Sequence, residues 1–350
     1  MPCSMLCQAS IGYMQLDYCN NMVWLFFELV DIVAFQCRAT HFIGRDSMPG
    51  AFAHLTAVNL ASDSNALSSI DMPLDAKKAI SLNKPYVELG CVSPDYPYLD
   101  IGDSAQNRWA DKMHYERTGE LIKSLAKQCK MLQDNDRDKV FAWLCGFISH
   151  VIADITIHPV VERKVGPYEQ NKTAHRTCEM HQDAHIWRRL NLGEVGLADH
   201  VRQQFGYCVG QDGRLDKTIK TIWLAGLKDI HSSFASDVPP DFDKWHRGFQ
   251  LIVDNAEEGY RFFPWARHLA ANNGLLYPRP DEIDKQFTEH LDTPNGLLNY
   301  DQVFDLAVSN IKRYFAILAS YIFGDGQLMA FVNWNLDNGQ DENGELTGWV

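Results

Sequence analysis

Asp136-Arg-Asp-Lys-Val-Phe-Ala-Trp-Leu-Cys-Gly-Phe-Ile-Ser-His150-Val-Ile-Ala-Asp154-Ile-Thr-Ile-His158-Pro159 decides how this chain is read. Asp136 and Asp138 are placed to cap a helix start, and the interior that follows is apolar nearly all round, the mark of a helix buried in the centre of a protein. His150 and Asp154 are four residues apart, so they share one face of that helix one turn apart, and His158 continues the face at the next step. Pro159 is expected to end the helix, because the residue before a proline is pushed out of the α region. An ionised Asp in such a setting costs several kcal/mol unless something pairs with it. A divalent cation is the pairing that would also use both histidines. Taken alone, the His-x-x-x-Asp pair reads equally well as a buried hydrogen-bonded pair that stabilises a helix.

A second pair follows at once. His175-Arg-Thr-Cys-Glu179 repeats the four-residue spacing on the next predicted helix, with His181, Asp183 and His185 close behind. Upstream, His114 ends Trp109-Ala-Asp-Lys-Met-His114, Asp95 ends the loop-like Gly90-Cys-Val-Ser-Pro-Asp95, and His54 stands earlier still. Seven of the thirteen histidines fall between positions 54 and 185. Two helices that each offer a chelating pair, with Asp95 and His114 beside them, shift the reading from structural pairs to metal binding.

The rest of the chain supplies the frame. With 350 residues and 46% hydrophobic content it can bury a large core. Apolar residues recur at three- and four-residue steps over 106–129, and further helices are expected near 172–191, 215–234, 241–258 and 299–323. Strands with period-two alternation are hard to find, so the expected fold is all-α. Against 45 acidic residues stand 32 basic ones, a net charge of −13, which argues against a broad surface for a phosphate backbone. No stable nucleic-acid partner is expected. Nine cysteines at irregular spacing, with no Cys-x-x-Cys, suggest reduced, buried thiols. The apolar stretch 22–35 is interrupted by Glu28 and Asp31 and reads as neither a signal peptide nor a membrane span, so a cytoplasmic address is the expectation. Residues 1–47 differ in character and are read as an N-terminal extension, with a natural start at Met48. Residues 48–330 are the expected helical domain, and 331–350 an acidic tail that frays.

In their order, His54, Pro94-Asp95, His114, His150-x-x-x-Asp154, His158 and His175-x-x-x-Glu179 resemble the zinc-dependent phospholipase C family, whose domain also opens the phospholipase D enzymes acting on glycosylphosphatidylinositol anchors. The similarity spans about residues 48–187. It implies an all-α, multi-helix, phospholipase C/P1 nuclease-like domain with a trinuclear zinc site, binding two or three Zn2+ per chain. By that resemblance Asp95, His114, His150 and Asp154 hold one metal, His158, His175 and Glu179 a second, and His54 with a bridging Asp154 the third. Asp95 is the candidate to orient or deprotonate the attacking water. Secreted members complete the third site with the amine and carbonyl of their mature first residue, which this chain would match only if Pro49 were exposed by a start at Met48. No counterpart of the family's trailing lipid-binding β-domain is expected within these residues, because those beyond 190 read as helices.

Implied with the family is a hydrolase of phosphodiester bonds, chiefly in phospholipids, touching a membrane surface transiently. The other readings are a single-strand nuclease on a similar cage and a non-catalytic metal-binding protein. No His-Asp dipeptide occurs, which weakens an HD-type phosphohydrolase. His181 and His185 are open between an exposed helical face and a role in supporting the ligands, while His200, His231, His246, His268 and His290 have no chelating neighbour. Trp109, Trp143 and Trp187 are read as core, and Phe262-Phe263-Pro264-Trp265 as the start of a packed helix in preference to a lipid-facing patch.

Overall fold

The computed structural model describes residues 50–100, 103–193, 199–256 and 277–350. The extension 1–47, Phe262-Phe263-Pro264-Trp265, His268 and the side chain of His200 lie outside the described residues. In chain order the helices are α1 (Ala51–Ser62), α2 (Ser64–Ser69), α3 (Leu74–Leu82), α4 (Lys84–Val92), a 3-10 helix (Ser93–Leu99), α5 (Ser104–Tyr115) and α6 (Thr118–Lys130). There follow α7 (Asp134–Val165), α8 (Tyr168–Trp187), α9 (Asp199–Gly206), α10 (Lys217–Ile230), α11 (Ser232–Asp237), α12 (Phe242–Ala256) and α13 (Tyr300–Ile322). The all-α expectation holds, apart, among the described residues, from one hairpin, β1 (Leu291–Thr293) with β2 (Gly296–Leu298), closed where Asn295 meets Gly296 at φ 95°.

At the centre runs α7, 32 residues and about 48 Å long at 1.5 Å per residue. It alone among the described helices is long and apolar enough to cross a membrane, and that stretch is entirely buried inside the protein. Its closest neighbour is α4, and the reason is a glycine pair. A methyl group on Gly90 would overlap the Trp143 carbonyl oxygen, and one on Gly146 would overlap that of Val87. The two backbones therefore touch, and Trp143 Nε1 donates to Ser93 Oγ across the contact at 2.9 Å. The indole rings of Trp109, Trp143 and Trp187 are buried in the core, as their sequence context indicates.

Three expectations need correcting. The apolar repeat over 106–129 is broken in two, because Arg117 takes a left-handed conformation (φ 56°) and turns the chain between α5 and α6. Pro159 does not end α7, which runs on to Gly166 at φ 88°. A proline inside a helix forfeits its bond to the carbonyl four residues back, here that of Ile155. That gap is filled from outside: Gly339 and Gly348 approach so closely that a methyl on either would collide with the Ile155 carbonyl, and Trp349 Nε1 donates to the Thr156 carbonyl at 2.9 Å.

The filler is the C-terminal segment, and this is the third correction, since residues 331–350 do not fray. Phe331, Trp334, Leu336 and Trp349 are buried against the helices. Apart from the half-buried Asp337, the acidic residues face outward or close turns, Asp341 Oδ1 accepting from the Asn343 and Glu345 backbones. The mean polarity of the segment is real, but its four buried apolar residues are spaced to bury one side of an extended strap.

Candidate metal centre

Five elements bring the eight residues singled out in the sequence to one place. His54 comes from α1, His114 from the last turn of α5, His150, Asp154 and His158 from α7, and His175 and Glu179 from α8. Asp95 is held in the 3-10 helix between Pro94 and Pro97, not in an open loop. Asp154 is the hub: its Oδ1 lies 3.2 Å from His54 Nε2 and 3.5 Å from His158 Nε2, and its Oδ2 lies 3.1 Å from His150 Nε2. His114 Nε2 lies 3.2 Å from Asp95 Oδ1 and 3.3 Å from His150 Nε2. Glu179 Oε1 lies 3.1 Å from His158 Nε2 and 3.3 Å from His175 Nε2. The imidazoles of His54 and His150 stack at 3.9 Å.

Three groups of candidate ligand atoms result, each within 4.8 Å: Asp95 with His114 and His150, His54 with His150 and Asp154, and His158 with His175 and Glu179. The Asp95 and His54 groups thus share His150, where the resemblance implies a bridging Asp154. The chain before Gly50, which would complete the His54 group, lies outside the described residues.

Burial and hydrogen bonding test whether cations fit here. Asp95, Asp154 and Glu179 are only 7%, 1% and 5% exposed. Three histidines are anchored through Nδ1 to main-chain carbonyls at 2.8 Å: His114 to Ala110, His150 to Cys91 and His158 to Leu336. A carbonyl can only accept, so Nδ1 carries a proton, and in the neutral ring Nε2 is left to present the lone pair. Those lone pairs are turned on carboxylate oxygens, and Asp95 Oδ1, Asp154 Oδ2 and Glu179 Oε2 take no hydrogen bond of good geometry. Acceptor facing acceptor in a dry pocket is repulsive unless a cation sits between them. The donor set, five imidazoles and three carboxylates, suits zinc.

The electrostatics agree. Burial works against ionisation of Asp154, yet His150, His158 and His54 together hold its carboxyl well below the usual range. Burial likewise opposes the charges of Asp95 and Glu179, and their histidine neighbours bring both below the ordinary value. His158 is desolvated too, but Asp154, Glu179 and Asp337 push it up to about 10.

Several supporting groups are not legible as motifs. Asp183 accepts from the Gly50 and Ala53 backbones at 3.0 and 2.7 Å, fixing the first turn of α1 and with it His54, and Tyr277 donates its hydroxyl to the same carboxylate at 3.0 Å. Burial pushes the Asp183 carboxyl up to about 7. A small cavity lies beside His54, Asp154, His158 and Glu179, walled further by Asp183 and Tyr300. The Cys91 and Leu336 carbonyls carry no side-chain signature at all. Only the His181-x-Asp183 spacing hinted at one of these groups.

Among the described residues, the remaining histidines stand apart from the cage. His181 Nδ1 accepts from the Asp284 backbone at 3.0 Å, and His185 Nε2 lies 2.8 Å from Asp301 Oδ2. His246 contacts Tyr96 through Nδ1 at 3.3 Å. In comparison with known proteins, the chain matches the model of a family described as zinc dependent phospholipase C over residues 53–239. That is more than half the chain and includes all eight candidate residues. No curated protein and no solved structure matches significantly.

Proposed function

Because the chain belongs to the zinc-dependent phospholipase C family, we propose that it hydrolyses the phosphodiester bonds of phospholipids with zinc and an activated water. The observation that carries this reading is the set of buried imidazole Nε2 atoms turned on three buried carboxylates, each with one oxygen that takes no hydrogen bond of good geometry. Zinc ions held there would supply positive charge to draw in a phosphate and acidity to activate an attacking water.

The chain's own residues do the rest. The anchored Nδ1 atoms of His114, His150 and His158 fix three imidazole planes before substrate arrives, so little reorganisation is left for the reaction. Asp154 faces His54 and His150 of its own group and His158 of the next, and so ties the two together. Asp95 is the least enclosed of the three carboxylates. It holds and accepts the proton of the attacking water. The helices around the cage exclude bulk water, which strengthens each of these interactions.

The test pairs zinc content with hydrolysis of a phosphocholine ester, a glycosylphosphatidylinositol and a short DNA strand. Two or three zinc ions per chain are expected, with cleavage of a lipid head-group ester that stops on chelation. The DNA strand should stay intact, since a net charge of −13 leaves little to hold its backbone. Fully metallated protein inactive on all three would make the cage a non-catalytic metal site. Cleavage of the DNA alone would make the protein a nuclease.

A further inference from the structure

The C-terminal strap lies outside the residues matched by the family model, 53–239, yet it closes on the candidate metal centre at three points. The Leu336 carbonyl receives the His158 Nδ1 proton at 2.8 Å, and the Leu336 N–H donates to the His114 carbonyl at 3.0 Å. One residue on, the half-buried Asp337 carboxylate accepts the Tyr115 hydroxyl at 3.2 Å, the only hydrogen bond it takes among the described residues. Tyr115 is the neighbour of His114 on α5, and their rings lie 6.0 Å apart. The carboxylate also interacts electrostatically with His158, His114 and His175, which belong to two different ligand groups. The strap is seated by Gly339 against Pro159, the residue that follows His158. A residue placed there by chance would not need its backbone, its side chain and a missing Cβ all directed at ligand-bearing turns.

We propose that Asp337 is a positioning residue of the metal centre, which together with Tyr115 locks the strap onto His114 and His158 and so sets the affinity for zinc. This rests on the reading that the cage binds zinc. Its negative charge favours a cation among the neighbouring histidines, and its hydrogen bond keeps Leu336 where it fixes the His158 tautomer. Groups that orient metal ligands in this way alter affinity by about 10- to 100-fold when removed.

The experiment is a zinc titration of metal-free protein against a chelating indicator, for the wild type, Asp337→Asn and Tyr115→Phe. It is run with thermal unfolding of the metal-free forms and the visible spectrum of the cobalt-substituted forms. Zinc binding weakened about 10-fold or more at one or two sites, a changed cobalt spectrum and an unchanged metal-free midpoint are the expected results. A lowered midpoint with zinc affinity and cobalt spectrum intact would mean a purely structural role and would overturn the proposal, as would two variants indistinguishable from wild type. Should Asp337→Asn fail to fold, Tyr115→Phe keeps the packed ring, removes the hydroxyl donor and carries the same outcomes. A wild type that binds no zinc would instead overturn the proposed function itself.

Discussion

Asp154 shows how much one side chain can be asked to do, because its two oxygens face three imidazoles in the interior of α7. Asp154→Asn preserves shape, removes one charge and turns an acceptor into a donor. Hydrolytic kcat/KM is expected to fall at least about 100-fold with loss of bound zinc. Metal-free Asp154→Asn should be less stable than metal-free wild type at neutral pH, since the carboxylate that its three histidines hold ionised has gone and they lose their partner. Retained zinc and activity would remove Asp154 from the site. His246 makes a separate test, independent of metal. Burial lowers it from the ordinary 6.5 to about 4. The unfolded chain therefore binds the extra proton between those values, stability is complete above about pH 6.5, and it is lost as the pH falls toward 4. The loss is about 3 kcal/mol at about 1.4 kcal/mol per unit. Urea unfolding of metal-free protein at pH 7.5 and 4.5 should show this difference shrink in His246→Phe, and an unchanged difference would refute the assignment. At this scale His150, Asp154, His158, His175 and Glu179 were legible because chelating pairs recur at helical spacing, and His54, Asp95 and His114 through the resemblance that their order carries. Asp183 and Asp337 were not, because each acts through backbone amides or a tyrosine hydroxyl brought near only by folding.

The helices themselves were read from apolar periodicity, and the breaks were not, because breaks are decided by contacts. A proline looks like a stop until a strap covers the carbonyl it leaves bare, and an acidic tail looks frayed until Trp334 and Trp349 are seen to be buried. The tightest such contact is Gly90 of α4 on Gly146 of α7, and it ties packing to chemistry, since the Cys91 carbonyl beside it anchors His150. Gly90→Ala would force two backbones apart, with no flexible side chain to give way. A loss of about 3 kcal/mol in urea unfolding is expected, together with zinc affinity weakened about 10-fold as His150 loses its anchor. Gly206→Ala, whose methyl would meet nothing, serves as the control and should be close to neutral. A Gly90→Ala protein as stable as the control would show that the helices do not meet so closely.

For the molecule as a whole, the cage is a hole filled with like-minded groups: three buried carboxylates and five imidazoles from α1, the 3-10 helix, α5, α7 and α8, with the strap's backbone holding one of them. Pulling these elements together without cations leaves acceptors opposed in a dry interior, so folding and metal binding must be linked. A ligand that binds only the folded state stabilises it by about 4 kcal/mol per site at a free concentration a thousand times its dissociation constant. At about 2 to 4 °C per kcal/mol for a domain of this size, removing zinc with a chelator should lower the unfolding midpoint by about 10 °C or more. Returning zinc should restore it, whereas magnesium should not, because a small hard cation prefers oxygen ligands and keeps its water. The prediction also separates two ways of being stable. If the elements are held by their apolar contacts alone, the chelated protein will melt where the loaded one does, and the opposed lone pairs must then be relieved by protons on the histidines. If the midpoint falls and zinc restores it, the cage is part of what holds α1, α5, α7, α8 and the strap together, and losing the metal loosens the site and the fold at once.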